Sequence, residues 1–287
     1  MADIRYSAPS TIDEAVRLFA ASGGAKILAG GTDLLVQMRS GAVSPGHIID
    51  VKRIAEMTSI AEQNGSFRIG AAASAAVIGE HAALRKVWPG VVEAINLIGS
   101  KQVQGRASAG GNLCNASPAA DSVPAMVAAG ATVTLQGPGG RRELPVEQLA
   151  SGPGRTTLAP GEIAVAITLP ARPKGSGDAY LRLIPRTEMD IAVVGCGVSL
   201  TIANGACTTA RVSLGAVAPT VLLVDGAAKA LIGSKLDEAA LEAAAAACRA
   251  VCKPIDDKRG TIAYRTKIAG VLLKRATAIA AERARSH

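Results

Sequence analysis

The chain has 287 residues, enough for one large or two modest domains, and is 49% hydrophobic and 19% charged, as expected of a well-cored globular protein. No run of about 18 or more apolar residues occurs, which excludes a membrane-spanning helix. The net charge of +8 comes from dispersed cations with few aromatics among them, which argues against a nucleic-acid partner; a basic surface facing acidic protein partners explains the charge as well. The first residues, Met1-Ala-Asp-Ile-Arg-Tyr-Ser7, lack a basic stretch leading into an apolar one. No signal peptide is expected, and the expected location is cytoplasmic.

Thr11-Ile-Asp-Glu14 reads as a capping box. Ile12, Ala15, Val16 and Phe19 share one face of the helix that it starts, which stops at Gly23-Gly24. A short apolar run, Ile27 to Ala29, then leads through Gly30-Gly31 into an apolar-periodic run (Leu34, Leu35, Met38), giving strand, glycine loop and helix. Thr32 or Asp33 is placed to cap that helix, leaving its N-terminal N–H groups and positive dipole end toward an anion. Gly41 ends it, and a short strand at 47–52 completes a small α/β unit at about residue 53.

A second α/β unit follows. Residues 59–62 and 67–71 flank Gln63-Asn-Gly65 as a hairpin, Ser74 caps a helix through Leu84, and Trp88-Pro89 introduces another ending near Ile98. The stretch Ala107-Ser-Ala-Gly-Gly-Asn-Leu-Cys-Asn-Ala-Ser-Pro-Ala-Ala-Asp121 comes next. Gly110 and Gly111 lack Cβ atoms and can adopt φ > 0, which would form a concavity of N–H groups suited to phosphate oxygens. Ser108 and Asn112 add side-chain donors, although the same residues also read as a tight turn with a helix cap behind it. Two such loops in one domain could hold the two phosphates of a dinucleotide, or one diphosphate from both sides. A helix at 122–129, a hairpin of 132–136 with 142–146, and a last strand at 162–169 complete the unit.

Pro170-Ala-Arg-Pro-Lys-Gly-Ser-Gly177 reads as a linker. Beyond it, antiparallel strands are predicted at 179–184, 191–203 and 206–217, with Asn204-Gly205 turning between the last two, then long helices at 236–251 and 261–283. No Rossmann fingerprint or Walker A lysine is present; Gly195-Cys-Gly197 lies inside a strand run and lacks a third glycine. The five cysteines have no framework spacing and read as buried thiols, Cys248 and Cys252 on one helix face. His47, His81 and His287 supply no catalytic constellation, and no metal site is expected in this chain.

The motif AGGTDL, followed downstream by KQVQGRASAGGNLCNASPAAD, resembles the FAD-binding medium subunit of the molybdenum hydroxylases. These are the relatives of xanthine dehydrogenase, carbon monoxide dehydrogenase and aldehyde oxidoreductase. The resemblance implies an α+β fold. A FAD-binding domain, residues 1–175, would comprise two α/β subdomains of the kind shared with vanillyl-alcohol oxidase, divided near residue 53. A smaller domain, 176–287, would hold a three-stranded antiparallel sheet and helices. The FAD would lie extended between the subdomains with its diphosphate against both loops. Carried over by position, Lys26, Leu28, Ala29, Gly30, Gly31, Thr32 and Asp33 would serve the first loop, and Ser108, Ala109, Gly110, Gly111 and Asn112 the second. Asp121 matches an acidic residue near the flavin nucleotide and equally reads as a helix cap; Val165 and Arg182 match positions approaching the flavin. Residues 186–192 resemble a flavin-proximal loop, with Ile191 or Ile98 where some relatives place an aromatic ring.

The implied function is an FAD-carrying electron-transfer subunit of a heterotrimeric molybdenum hydroxylase, assembled as a dimer of heterotrimers. A large partner would hold molybdopterin and a small one two 2Fe-2S clusters, with NAD, a quinone, oxygen or another molecule as acceptor. A stand-alone flavoprotein oxidase of the vanillyl-alcohol oxidase type and a flavin-free scaffold subunit are the alternatives.

Overall fold

The computed structural model describes residues 4–286. The first unit runs β1 (Arg5–Ser7), α1 (Ile12–Ala21), β2 (Lys26–Leu28), α2 (Leu34–Arg39) and β3 (His47–Asp50). Its strands form a parallel sheet in the order β1-β3-β2. The Thr11 hydroxyl accepts the Glu14 N–H at 3.3 Å, and Ile12, Ala15 and Val16 are buried, as the capping box predicts. The short edge strand β1 was not legible in the sequence, because Arg5 and Tyr6 are exposed and show no alternation. The apolar periodicity of α2 misleads, since the helix buries no residue and Leu35 and Val36 are exposed.

The second unit contains α3 (Ala55–Thr58), β4 (Ile60–Gln63), β5 (Ser66–Gly70), α4 (Ala75–Glu80), α5 (Ala82–Val87), α6 (Pro89–Ile95), α7 (Lys101–Gln104), α8 (Ala109–Cys114) and α9 (Ser122–Ala128). It continues with β6 (Thr132–Gly137), β7 (Gly140–Pro145), a small hairpin of β8 (Ala150–Gly152) and β9 (Arg155–Thr156), and β10 (Ile163–Leu169). An antiparallel sheet is ordered β4-β5-β10-β6-β7, so the last strand in sequence lies at its centre. That position explains the near-continuous apolar run of β10, which is buried almost throughout. The helix expected from Ser74 through Leu84 is two helices. His81 leaves helical geometry at ψ 99°, and its Nδ1 accepts the Leu84 N–H at 3.2 Å, capping α5. Its ring meets Phe67 edge-on, 6.0 Å between centroids.

The C-terminal sheet is antiparallel, β11 (Ser176–Leu183), β12 (Val194–Ala203), β13 (Ala206–Gly215) and β14 (Leu222–Leu223) in that order. Three strands were expected; the fourth has only two residues and leaves no period to read. The helices are α10 (Asp225–Leu231), α11 (Glu238–Val251) and α12 (Ile262–Ser286). Ala269, Leu273, Ala276 and Ala280 of α12 share a buried cluster with Val194, Val198, Leu200 and Val212. On β12, a Cβ at Gly197 would stand 2.5 Å from the Pro124 carbonyl oxygen, so this glycine admits α9 against the strand.

The stretch expected to be a linker is a strap. Trp88 Nε1 donates to the Pro170 carbonyl at 3.3 Å, and the Arg172 guanidinium lies 4.3 Å from the Trp88 ring centroid. Arg172 also pairs with buried Asp178 at 3.0 Å, and Asp178 accepts the Val91 N–H at the start of α6. Among the described residues, no helix is long and apolar enough to cross a membrane.

Candidate functional site

The two glycine segments touch each other and the sheet behind them. A Cβ at Gly30 would stand 2.0 Å from the Arg106 carbonyl oxygen, and one at Gly110 would stand 2.4 Å from that of Ala71. Neither position admits a side chain. Gly31 turns the chain into α2 with φ 79°, and of these four glycines it alone is left-handed.

Of the two readings of the second segment, an open phosphate-cradling loop and a tight turn with a helix cap, the structure departs from the first. Gly110 and Gly111 lie inside α8, and Ser108 is its N-cap, taking the Gly111 N–H at 3.1 Å. An extended serine followed by helical geometry is the stronger local preference here. The first segment is likewise corrected: Asp33 sits at the N-cap position of α2 but makes no side-chain cap bond. Asp121 begins α9 in the same uncapped way.

Between these segments lies a cavity of about 540 Å³, within the range of ligand pockets. Lys26 and residues 29–33 line one side, and Ser108, Gly110, Gly111 and Asn112 line another. The third side is formed by Gly154, Thr156 and residues 158–164, a wall that sequence reasoning missed. Its signal was the Pro160-Gly161 dipeptide before a strand, a turn marker of low specificity. Gln37 Nε2 donates to Asn115 Oδ1 at 3.3 Å across the cavity's edge, and Asn112 Oδ1 accepts from Ser122 Oγ at 2.7 Å, fixing its amide. Burial pushes the Cys114 thiol up to about 12, so it lines the cavity as a neutral group.

Five of the residues singled out from sequence stand off this cavity. Leu28 lies behind Gly31, Ala109 is buried in α8, and Val165 is buried in β10 with its carbonyl accepting the Ala71 N–H at 2.9 Å. Asp121 and Arg182 are ion-paired at 2.5 Å, both nearly buried, and Tyr180 donates to the other Asp121 oxygen at 3.0 Å. Burial pushes the Asp121 pKa up to about 6, against the pull of Arg182 and Tyr180. In the loop at 186–192, the Asp190 carboxylate accepts from Arg186 and Arg259, both at 3.2 Å, while Met189 and Ile191 are exposed.

Residues 2–172 match the family described as the FAD binding domain in molybdopterin dehydrogenase, and residues 179–280 match the CO dehydrogenase flavoprotein C-terminal domain. The chain belongs to the FAD-binding subunits of the molybdenum hydroxylases. As a member it is an oxidoreductase subunit of the medium-chain type, and the α+β architecture implied by the motifs is the one observed. It is 36% identical over 272 residues to the carbon monoxide dehydrogenase medium chain of Hydrogenophaga pseudoflava, covering 94% of each chain. It is 32% identical over 240 residues to the xanthine dehydrogenase FAD-binding subunit of Escherichia coli O157:H7, covering 83% of this chain and 82% of that one. The structure of reconstituted CO dehydrogenase from Oligotropha carboxidovorans superposes with a TM-score of 0.94 at 34% identity, covering 98% of both chains.

Proposed function

We propose that this chain is the electron-transfer subunit of a heterotrimeric molybdenum hydroxylase and holds FAD in the cavity where its two glycine segments meet. The observation that carries the reading is that junction: in a chain of an FAD-binding family, both motifs wall one ligand-sized cavity. The residues present fit the cofactor. A side chain at Gly111 would project into the cavity, its Cβ meeting only Ser108 Oγ at 3.0 Å, so glycine keeps that space clear. Lys26, Ala29, Gly30, Gly31, Thr32 and Asp33 would hold one side of FAD, and Ser108, Gly110, Gly111 and Asn112 the other. Leu28, Ala109 and Val165 would support these segments from behind, with the Asp121–Arg182 pair fixing the start of α9.

The cofactor carries the redox chemistry, while the protein supplies binding, orientation and exclusion of water. The chain would receive electrons from a small iron–sulfur partner with two 2Fe-2S clusters, served in turn by a large molybdopterin subunit. It would pass them to an external acceptor, within a dimer of heterotrimers. We take residues 1–175 as the FAD-binding domain and 176–287 as the second domain.

Affinity purification of the chain with its native partners, followed by metal analysis, tests the assignment. Molybdenum and iron are expected in the complex and absent from the chain purified alone. An isolated flavinylated chain that oxidises an organic substrate with oxygen would instead establish the stand-alone oxidase.

A further inference from the structure

We infer that Glu162 and Arg142 form a latch that holds the third wall of the cavity closed over the cofactor, and that they are positioning residues for FAD retention. The inference rests on the assignment of FAD to this cavity. Residues 158–161 form the rim of that wall, with Ala159 and Pro160 exposed. The rim packs through Leu158 on the apolar core and through Gly161 beside Ala20 and Pro138, but its backbone has few hydrogen-bond partners. Pro160 has no N–H to give, and Gly161 is left-handed at φ 79°.

Among the described residues, the hydrogen bonds of 158–161 run through Glu162, whereas Thr157, just before them, is tied separately, its N–H to the Leu149 carbonyl at 2.8 Å. Glu162 Oε2 accepts the Ala159 N–H at 2.7 Å, and the Glu162 N–H returns to the Ala159 carbonyl at 3.0 Å. Arg142, on β7, grips the same carboxylate with two parallel bonds, Nε to Oε1 and Nη2 to Oε2, both 2.7 Å. Its Nη2 also reaches the carbonyl of Thr157, the residue before the rim, at 3.4 Å. A bidentate arginine–carboxylate pair is directional as well as attractive, so it fixes the carboxylate plane that in turn fixes Ala159.

The pair stands outside the cavity's glycine walls, and Arg142 does not line the cavity. Cutting the latch should therefore loosen one wall and leave both glycine segments intact. The rim would open more often, and a bound cofactor would leave faster with its binding partners unchanged.

The test uses the full-length chain carrying Arg142→Ala and Arg142→Lys, at the latch residue that does not line the cavity, with FAD release followed by flavin fluorescence after dilution. Arg142→Ala should speed release about five- to tenfold, the scale of one charge-assisted hydrogen bond discounted for the partial exposure of Arg142. Arg142→Lys keeps the charge without the fork and should recover only part of the retention. Hydrogen exchange in flavin-free protein supplies an independent readout: the amides of Ala159 and Glu162 should exchange faster in Arg142→Ala, with α8 unchanged. Unaltered exchange would overturn the latch itself. Faster exchange with unaltered flavin release would show that the wall does not retain the cofactor and would equally overturn the inference. Wild-type chain that binds no FAD would overturn the cavity assignment and this inference with it, leaving the exchange difference as a property of the rim alone.

Discussion

His47 is held between two hydroxyls, its Nδ1 2.9 Å from Ser22 Oγ and its Nε2 2.9 Å from Ser7 Oγ, and is buried on β3. Burial first, and then the charge of Arg5, hold its pKa below the usual imidazole range. The unfolded chain therefore binds a proton near pH 6.5 that the native chain refuses, so this stability is present above about pH 6.5 and lost as pH falls below it. A His47→Gln variant should lose less stability than wild type between pH 7.5 and 5 in urea titrations; equal slopes would contradict the assignment. Asp121 acts in the opposite sense. Its carboxyl pKa is raised to about 6, so its contribution is fully present below about pH 4 and is lost as pH rises through 6. The glycines separate fold from function in the same way. Gly110→Ala drives a Cβ into the Ala71 backbone and should lower stability by about 1–3 kcal/mol. Gly111→Val should fold with a similar Tm yet lose flavin occupancy, because its added atoms enter the cavity. Full occupancy in that variant would count against the site.

At the scale of elements, the strap at 170–175 joins β10 to β11 and is held against Trp88 and α6. Arg172 leaves Asp178 a buried carboxylate if removed, so Arg172→Ala should destabilise the chain by about 3–5 kcal/mol. Burial already raises the Asp178 pKa despite Arg172, so in the variant protonation relieves part of the cost, and the gap from wild type should narrow as pH falls. A gap that stays constant with pH would show that lost packing on Trp88 dominates instead. Much of this level was legible from the chain. The Thr11 cap and the Asn64-Gly65 and Asn204-Gly205 hairpins depend on local chemistry that tertiary contacts only reinforce. What escaped notice depends on partners distant in sequence. Gly110 exists to meet Ala71, Arg142 to meet Glu162, and Arg172 to meet Trp88, and no spacing rule joins such residues. The two glycine motifs stood out in the sequence and line one cavity, but their geometry was not legible. Close packing and a serine cap account for the second pair, which in sequence read either as a phosphate-cradling loop or as a tight turn with a helix cap behind it.

Among the described residues, the apolar core falls into two clusters, one centred on the β4–β10 sheet with Phe67, Ile69 and Val165 and one between the C-terminal sheet and α12. The cavity lies along the first of these, so cofactor binding should stabilise the chain by mass action, raising Tm with FAD concentration. The measurement that bears most directly on the account is a visible absorption spectrum of the purified full-length chain alone, with the released chromophore identified by mass. The account predicts a flavin spectrum and the mass of FAD. A folded, colourless chain that also fails to take up added FAD would contradict it, and the two glycine segments would then be packing elements only.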